Sequence, residues 1–283
     1  MGGIVAAERM SARRHPDRHW SIDDIPWHAV ERAAIAGCEE FFYLVASASF
    51  MEWTTDLYTR NLIDFFAGDE EVTGWLERHW LPEELQHGLS LRRYVETAWP
   101  EFDWPQVYRS FVDEFRAYCQ PDGLETVRGL EMASRCVVET GTAAYYTTLA
   151  RASPEPVLAV LARRIADDEV RHYKHFYRFF RKYREAERPD ARAVLPALWR
   201  RLRMTGGEDS FVVLKHVYCA TRPGAAFDRH TYRALRRRGR RLVRRHFPYE
   251  MSVKMLLKPL GLKPGAQRIA VPLAAALARR LVP

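Results

Sequence analysis

The chain has 283 residues, 47% of them hydrophobic, which is ordinary for a globular protein with one large core or two modest ones. No apolar run approaches the roughly 20 residues of a membrane-spanning helix. The N-terminus has neither the apolar core nor the cleavage site of a signal peptide, so we expect a cytoplasmic protein. The four cysteines form no Cys-x-x-Cys pair, which argues against a zinc ribbon or an iron–sulfur cluster.

Positive charge is concentrated toward the C-terminus of the chain. The formal net charge is +8, and residues 233–245 are dense in arginine. Three interpretations of this segment are open: a docking face for an acidic carrier protein, a patch for an anionic membrane, or a solvated helix. We favour the carrier protein, because complementary charges select partners. No nucleic-acid-binding module accompanies the basic segment, so nucleic acid is not an expected partner.

Proline and glycine divide the chain into long segments in which apolar residues recur with helical spacing. In chain order the predicted helices cover residues 27–66, 70–99 with a distortion at Pro82, 106–119, 124–151, 155–186 and 191–204. Few stretches alternate as a β-strand would. The predicted fold class is therefore all-α, a four-helix bundle with additional helices and a basic C-terminal extension.

Three regions are predicted along the chain: an N-terminal extension over 1–26, a helical domain over 27–218, and the basic C-terminal extension over 219–283. The extension would pack on the bundle or bind a partner. Beyond Pro248 it contains too many prolines and glycines for one long helix. Its apolar segment 271–281, which includes Arg279 and Arg280, could lie on a membrane surface or form a dimer contact.

Two Glu-x-x-His tetrapeptides carry the chemistry of this sequence. They are Glu84-Leu-Gln-His87 and Glu169-Val-Arg-His172. Residues three apart on a helix share one face, so each carboxylate and imidazole can bind the same metal ion. Oxygen and nitrogen ligands together suit iron or manganese.

Two further glutamates have the spacing that a two-metal site requires. In di-metal helical bundles, two helices each supply a Glu-x-x-His pair and two others each supply one glutamate. Glu52 precedes Glu84 by 32 residues, and a Gly-Asp pair lies midway. Glu139 precedes Glu169 by 30 residues, and a Ser-Pro pair lies midway. A turn midway between two glutamates on antiparallel helices places them side by side at the same height in the bundle. We therefore predict a site made of Glu52, Glu84, His87, Glu139, Glu169 and His172.

The neighbours of Glu52 and Glu139 indicate a bundle interior. They are small or apolar: Ala48, Ser49, Thr55, Cys136, Ala143 and Tyr146. A buried carboxylate is strongly unfavourable unless it has a metal, a cation or a proton. Most glutamates are solvated, and any one of these alone would be expected to be solvated as well.

Two segments resemble a known family. Residues 80–88, Trp-Leu-Pro-Glu-Glu-Leu-Gln-His-Gly, resemble the Trp-x-x-Glu-Glu-x-x-His-Gly signature of soluble acyl-carrier-protein desaturases, which are ferritin-like di-iron proteins. Residues 165–172, Ile-Ala-Asp-Asp-Glu-Val-Arg-His, resemble that family's Asp-Glu-x-x-His segment. The resemblance covers residues 53–218 and is specific over the two metal hairpins.

The resemblance implies roles for individual residues. Glu84 and Glu169 would bridge two iron ions, with His87 and His172 bound one to each. Asp168 would orient a ligand histidine, as carboxylates beside metal sites commonly do.

Thr142 matches a family threonine placed beside the oxygen-binding face, where its hydroxyl could relay a proton. An ordinary helix threonine bonded to its own turn is the alternative, and it would be favoured without the resemblance.

The resemblance implies a di-iron enzyme that uses O₂ and two external electrons to activate a C–H bond of an acyl chain, as a desaturase or hydroxylase. Its expected partners are an acyl carrier protein or acyl-CoA substrate, a ferredoxin-type electron donor and a second copy in a homodimer. The alternatives are another di-iron oxygenase, either an N-oxygenase or an aldehyde-deformylating enzyme, and iron oxidation or storage. Arylamine N-oxygenases have a third histidine where this chain has Ile165.

Overall fold

A computed structural model of the chain describes residues 20–119, 123–187, 191–204 and 207–281. These residues form helices joined by turns and loops, and none of them lies in a β-strand, so the predicted all-α, bundle-like class is confirmed. None of the helices in these ranges is long and apolar enough to cross a membrane. Residues 1–19 of the predicted N-terminal extension lie outside the described residues.

The α-helices of the described residues are numbered in chain order. They are α1 (Arg32–Ile35), α2 (Glu39–Trp53), α3 (Thr55–Phe65), α4 (Glu70–Trp75), α5 (Leu81–Ala98), α6 (Trp104–Phe115), α7 (Arg128–Ala152), α8 (Pro156–Glu187), α9 (Ala191–Met204), α10 (Glu208–Thr221), α11 (Arg229–His246), α12 (Tyr249–Leu257) and α13 (Pro264–Leu281). Short 3₁₀ helices lie at Ile22–Asp24, Trp27–Ala29, Arg116–Tyr118 and Lys258–Leu260.

The prediction of one helix over 27–66 is wrong, because this region contains α1, α2 and α3. The α2–α3 break lies at Thr54, whose ψ of 2° leaves the α-helical region. The Thr54 hydroxyl donates to the Met51 carbonyl oxygen at 2.7 Å, and such local bonds compete with regular helix. The apolar periodicity of the sequence continues across the α2–α3 break, so the periodicity alone does not reveal the break.

The predicted distortion near Pro82 is confirmed. The helix that begins at Glu70 widens to a π-helix over Leu76–Trp80 and continues as α5. Proline has no N–H to donate, and its ring clashes with the carbonyl four residues earlier, which here belongs to Arg78. Wider π turns relieve such conflicts and often occur near functional sites.

The chain divides by its contacts into two compact units. The first unit comprises Met1–Asp122, Ser153–Leu161 and Glu208–Gly239, and the second comprises Gly123–Ala152, Ala162–Gly207 and Arg240–Pro283. The first contains α1 to α6 and α10, and the second contains α7, most of α8, α9, α12 and α13.

In the first unit, α2 packs along α5 and also against α10. The Phe50 ring of α2 lies 5.2 to 5.5 Å from the rings of Trp104, Tyr108 and Phe111 on α6. The Trp104 indole N–H donates to the Ser49 hydroxyl at 2.8 Å, so this buried polar group is satisfied. This aromatic core holds α2 in a fixed position beside α5.

In the second unit, α7 packs on α9 and α12, and α12 packs on α13. The α7 glutamate Glu131 is fully buried and accepts a 2.7 Å hydrogen bond from the Arg135 guanidinium. Arg201 of α9 lies 3.5 Å from the same carboxylate. A buried acid with two arginine partners is a structural ion pair.

Candidate metal centre

The first unit brings together three of the predicted ligands. Glu52 lies in the last turn of α2, and Glu84 and His87 lie one turn apart on α5. Each of the three offers a ligand atom within 4.8 Å of the others. All are at most 8% exposed. The α5 pair shares one helix face, as the Glu-x-x-His spacing predicts.

Gly88 allows α2 and α5 to approach at this site. A Cβ atom added to Gly88 would lie 2.7 Å from the backbone nitrogen of Trp53 and 2.8 Å from its Cα. Only glycine leaves room for that backbone. Because Trp53 follows Glu52 and Gly88 follows His87, this contact sets the separation of the ligands. Gly88 was part of the family signature, but its physical role becomes visible only in the structure.

Trp20 is a neighbour of the site that the sequence did not indicate. Its ring lies parallel to the His87 imidazole, with 6.2 Å between the centroids. The Gln86 side-chain amide donates to the Trp20 carbonyl oxygen at 3.2 Å, which holds the N-terminal segment beside α5. No sequence pattern links residues so far apart in the chain.

The second unit brings together the other three predicted ligands. Glu139 lies on α7, and Glu169 and His172 lie one turn apart on α8. The His172 Nδ1 atom is 3.6 Å from Glu139 Oε2 and 3.8 Å from Glu169 Oε2. Ligand atoms of the three lie within 4.8 Å of one another, and all three side chains are buried. The second set therefore repeats the composition of the first.

The Glu139 carboxyl tests whether these residues fit a cation. Its Oε2 atom is buried and makes no hydrogen bond with the residues the structure describes. Removal from water raises the pKa of Glu139 to about 8, although the nearby His172 acts in the opposite direction. A buried oxygen without a donor fits a metal ion, which supplies positive charge and displaces the proton. Two carboxylates and one imidazole in each set are suitable ligands for iron or manganese.

Burial of Glu139 predicts a pH-dependent stability for the metal-free protein. Its pKa is raised from 4.5 to about 8, so the folded state keeps a proton that the unfolded chain loses. The free energy of unfolding should therefore fall as pH rises from 4.5 through 8. Urea unfolding of chelator-treated protein across this range measures the fall, and the fall should be smaller in Glu139→Gln. The same pH dependence in both proteins would contradict the assignment.

Thr142 contacts a predicted ligand. Its hydroxyl lies 2.6 Å from Glu169 Oε2. The carbonyl oxygens of Glu139 and Val138 in its own helix are farther away, at 3.2 and 3.4 Å. The hydroxyl has one proton, and the shortest distance identifies the carboxylate as its best acceptor. Thr142 is thus more than a helix threonine bonded to its own turn.

Asp168 is buried and forms an ion pair with Arg171 on the same helix. Its predicted role in orienting a ligand histidine stays a prediction.

Ile165, at the position of the third histidine of N-oxygenases, is fully buried and apolar. All four cysteines are free; Cys136 is buried and the other three are partly exposed.

Comparisons with protein-family models, with curated proteins and with solved structures find no match for this chain. The class of the protein therefore follows from its own residues. It is an all-α protein whose buried glutamates and histidines form clusters that could hold a metal ion.

Proposed function

We propose that the two ligand sets together form one ferritin-like di-iron centre and that the protein is an O₂-dependent oxidase or oxygenase acting on an acyl chain. One observation carries this proposal. Each set consists of a glutamate from one helix and a Glu-x-x-His pair from another, and all six side chains are buried. Glutamate is rarely buried unless it is paired. The occurrence of the same buried set twice therefore favours metal binding by both sets.

Charge balance favours metal ions as partners of these carboxylates. Glu131, the structural acid of the second unit, has Arg135 and Arg201 as partners. Each ligand set has two carboxylates and only one histidine, and the Glu139 Oε2 atom makes no hydrogen bond with the residues that the structure describes. Two divalent ions would balance the charge of four carboxylates, and the reduced site would then be neutral. Manganese is the alternative metal for such ligands.

The resident metal would bind O₂ and exchange electrons with it when present. Glu84 and Glu169 would hold the metal together with the other four ligands, and the buried side chains around them would exclude water. The Thr142 hydroxyl would hold a proton at Glu169 Oε2. Removal of two hydrogen atoms from an acyl chain, with reduction of O₂ to two waters, consumes two electrons and two protons from outside.

The rest of the proposal rests on the resemblance to acyl-carrier-protein desaturases. The sequence contains no flavin or nicotinamide motif, so the two electrons would come from a ferredoxin-type donor. The acyl chain would be linked to a carrier protein or to coenzyme A, and the product would be desaturated or hydroxylated. A homodimer and a cytoplasmic location belong to the same proposal.

Metal loading is the experiment that tests this function. Full-length protein is incubated anaerobically with Fe(II), desalted and examined by metal analysis and Mössbauer spectroscopy, where about two coupled irons per chain are expected. Carrier-linked acyl chains, O₂ and a ferredoxin system are then added, and products are identified by mass spectrometry. Failure to retain iron would contradict the centre. Oxidation of iron with no change in any acyl chain would support iron oxidation or storage instead.

Thr142→Val should separate proton delivery from metal binding. The variant keeps the volume of the side chain but removes the hydroxyl beside Glu169. Iron content should not change, whereas O₂-dependent turnover should fall by roughly 100-fold, the size of a lost proton-transfer group. Thr142→Ser, which keeps the hydroxyl, should recover most of the activity. Equal turnover in the valine variant would exclude the role.

A further inference from the structure

A groove lined by arginines lies in the second unit. It has a volume of about 710 Å³ and is formed by the C-terminal half of α11 and the C-terminal half of α13. Its lining residues are Arg241, Arg244, Arg245, Ala276, Arg279 and Arg280. The arginines are exposed, so their charges face solvent. Five guanidinium groups around one groove form a site for a polyvalent anion.

The charge of this groove is not neutralised by the protein. None of its five arginines forms an ion pair with a carboxylate in the part of the chain that the structure describes. Other arginines of α11 differ, because Arg229 pairs with Glu208 and Arg238 pairs with Glu39. Between residues 229 and 283 the only acidic residue is Glu250. The two ion-paired arginines of α11 thus precede the three that line the groove.

Helix α13 exposes apolar side chains on the face opposite to its packed face. Ala275 is buried, at 3% exposure, where α13 packs against α12. Ile269, Leu273 and Leu277 are 65%, 66% and 56% exposed. Their spacing of four residues aligns them in one stripe on the helix. A helix on a water-facing surface ordinarily carries polar residues there.

The apolar stripe leads into the arginine groove. Leu273 is followed three residues later by Ala276, and Leu277 is followed three residues later by Arg280, so each pair shares a face. Ala276 and Arg280 line the groove. Exposed aliphatic side chains and unpaired arginines therefore form one continuous surface, which we call the α13 face.

We propose that the α13 face docks on a membrane rich in anionic phospholipid. The arginines would bind headgroup phosphates, and the three aliphatic side chains would enter the boundary between headgroups and acyl chains. The sequence alone favoured an acidic carrier protein for this segment. Such a partner satisfies the charge, but it does not require a stripe of large aliphatic residues over more than two helical turns. The bilayer satisfies both features, and it does not depend on the di-iron proposal.

Co-sedimentation of the full-length protein with lipid vesicles tests the charged part of this surface. Vesicles of phosphatidylcholine with phosphatidylglycerol should bind the protein, and binding should weaken as salt rises. Arg241→Ala/Arg244→Ala should lower the affinity by roughly 30-fold, since each arginine near an anionic surface contributes about five-fold. Arg109→Ala/Arg163→Ala removes the same charge from exposed positions on other helices and should bind like the wild type.

The apolar part has its own variant, Leu273→Asn/Leu277→Asn, which leaves every charge in place. It should bind the anionic vesicles at least ten-fold more weakly, by roughly the loss of two partly inserted side chains. Circular dichroism would confirm that both double variants are folded. Because they alter different chemistry, the two results are independent.

Three outcomes would overturn the proposal. Equal binding to pure phosphatidylcholine vesicles would remove the role of the arginines. No vesicle binding, with saturable binding to a purified acidic acyl carrier protein, would identify the other partner. No vesicle binding, with a wild-type dimer that Leu273→Asn/Leu277→Asn converts to a monomer in sedimentation velocity, would assign the stripe to a second copy of the chain.

Discussion

Glu84→Ala should reduce the iron content from about two per chain to less than one. In the proposed centre Glu84 would hold both ions, as the resemblance implies, so its loss would affect each of them. The structure places its carboxylate within 4.8 Å of ligand atoms of Glu52 and His87. Metal analysis of protein loaded with Fe(II) measures the effect. Glu77→Ala, an exposed glutamate before α5, is the matched control and should retain the metal.

Stability measurements distinguish a metal ligand from a structural glutamate. If Glu84 is a ligand, the metal-free variant should be at least as stable as metal-free wild type, because a carboxylate that is costly to bury without its metal is removed. Iron should then raise the melting temperature of the wild type alone, since a ligand stabilises only the state that binds it. A metal-free variant that is less stable by about 3 kcal/mol or more would indicate a lost structural pair instead.

Gly88→Ala should damage both the fold and the metal site of the first unit. The added methyl group would lie 2.7 Å from the Trp53 backbone nitrogen, and backbone cannot rotate away as a side chain can. Helices α2 and α5 must therefore separate, at a cost of about 1–3 kcal/mol in the free energy of unfolding. Because Glu52 moves with α2, iron should bind more weakly as well. Urea unfolding and iron titration measure the two effects.

Gly141→Ala is the matched control for Gly88→Ala. Gly141 lies in α7 between Glu139 and Thr142, and an added Cβ would meet nothing within 4 Å. Alanine has the higher helix propensity, so this variant should be more stable by up to about 1 kcal/mol and should bind iron normally. Equal stability of the two variants would mean that the close approach of α2 and α5 does not require glycine at position 88.

The ligand residues could be found from the sequence because their geometry is local. Three residues along one helix fix the relation of Glu84 to His87, and that of Glu169 to His172, whatever the rest of the chain does. The position of Glu52 followed from the turn midway to Glu84, where Gly68 has a φ of +90° that glycine adopts readily. The break between α7 and α8 likewise falls at the predicted Ser-Pro pair.

Other local features could not be predicted, because they depend on which of several possible acceptors a side-chain hydroxyl bonds to. The hydroxyl of Thr54 ends α2 in the middle of an uninterrupted apolar pattern, and threonine alone rarely ends a helix. The contact of Thr142 with Glu169 needed the distances, because the same residue also lies near two carbonyl oxygens of its own helix. The resemblance suggested this threonine, but geometry identified its acceptor.

The sequence by itself determined the all-α class, the two Glu-x-x-His pairs and the turns that bring each partner glutamate level, because helical period and turn chemistry act over a few residues. Only the tertiary structure decided which side chains are buried and which surfaces stay exposed. It placed Trp20 beside His87, packed Gly88 against the α2 backbone and left Leu273 and Leu277 of α13 exposed to solvent. Burial and close approach depend on residues distant in the chain, and no local pattern encodes them.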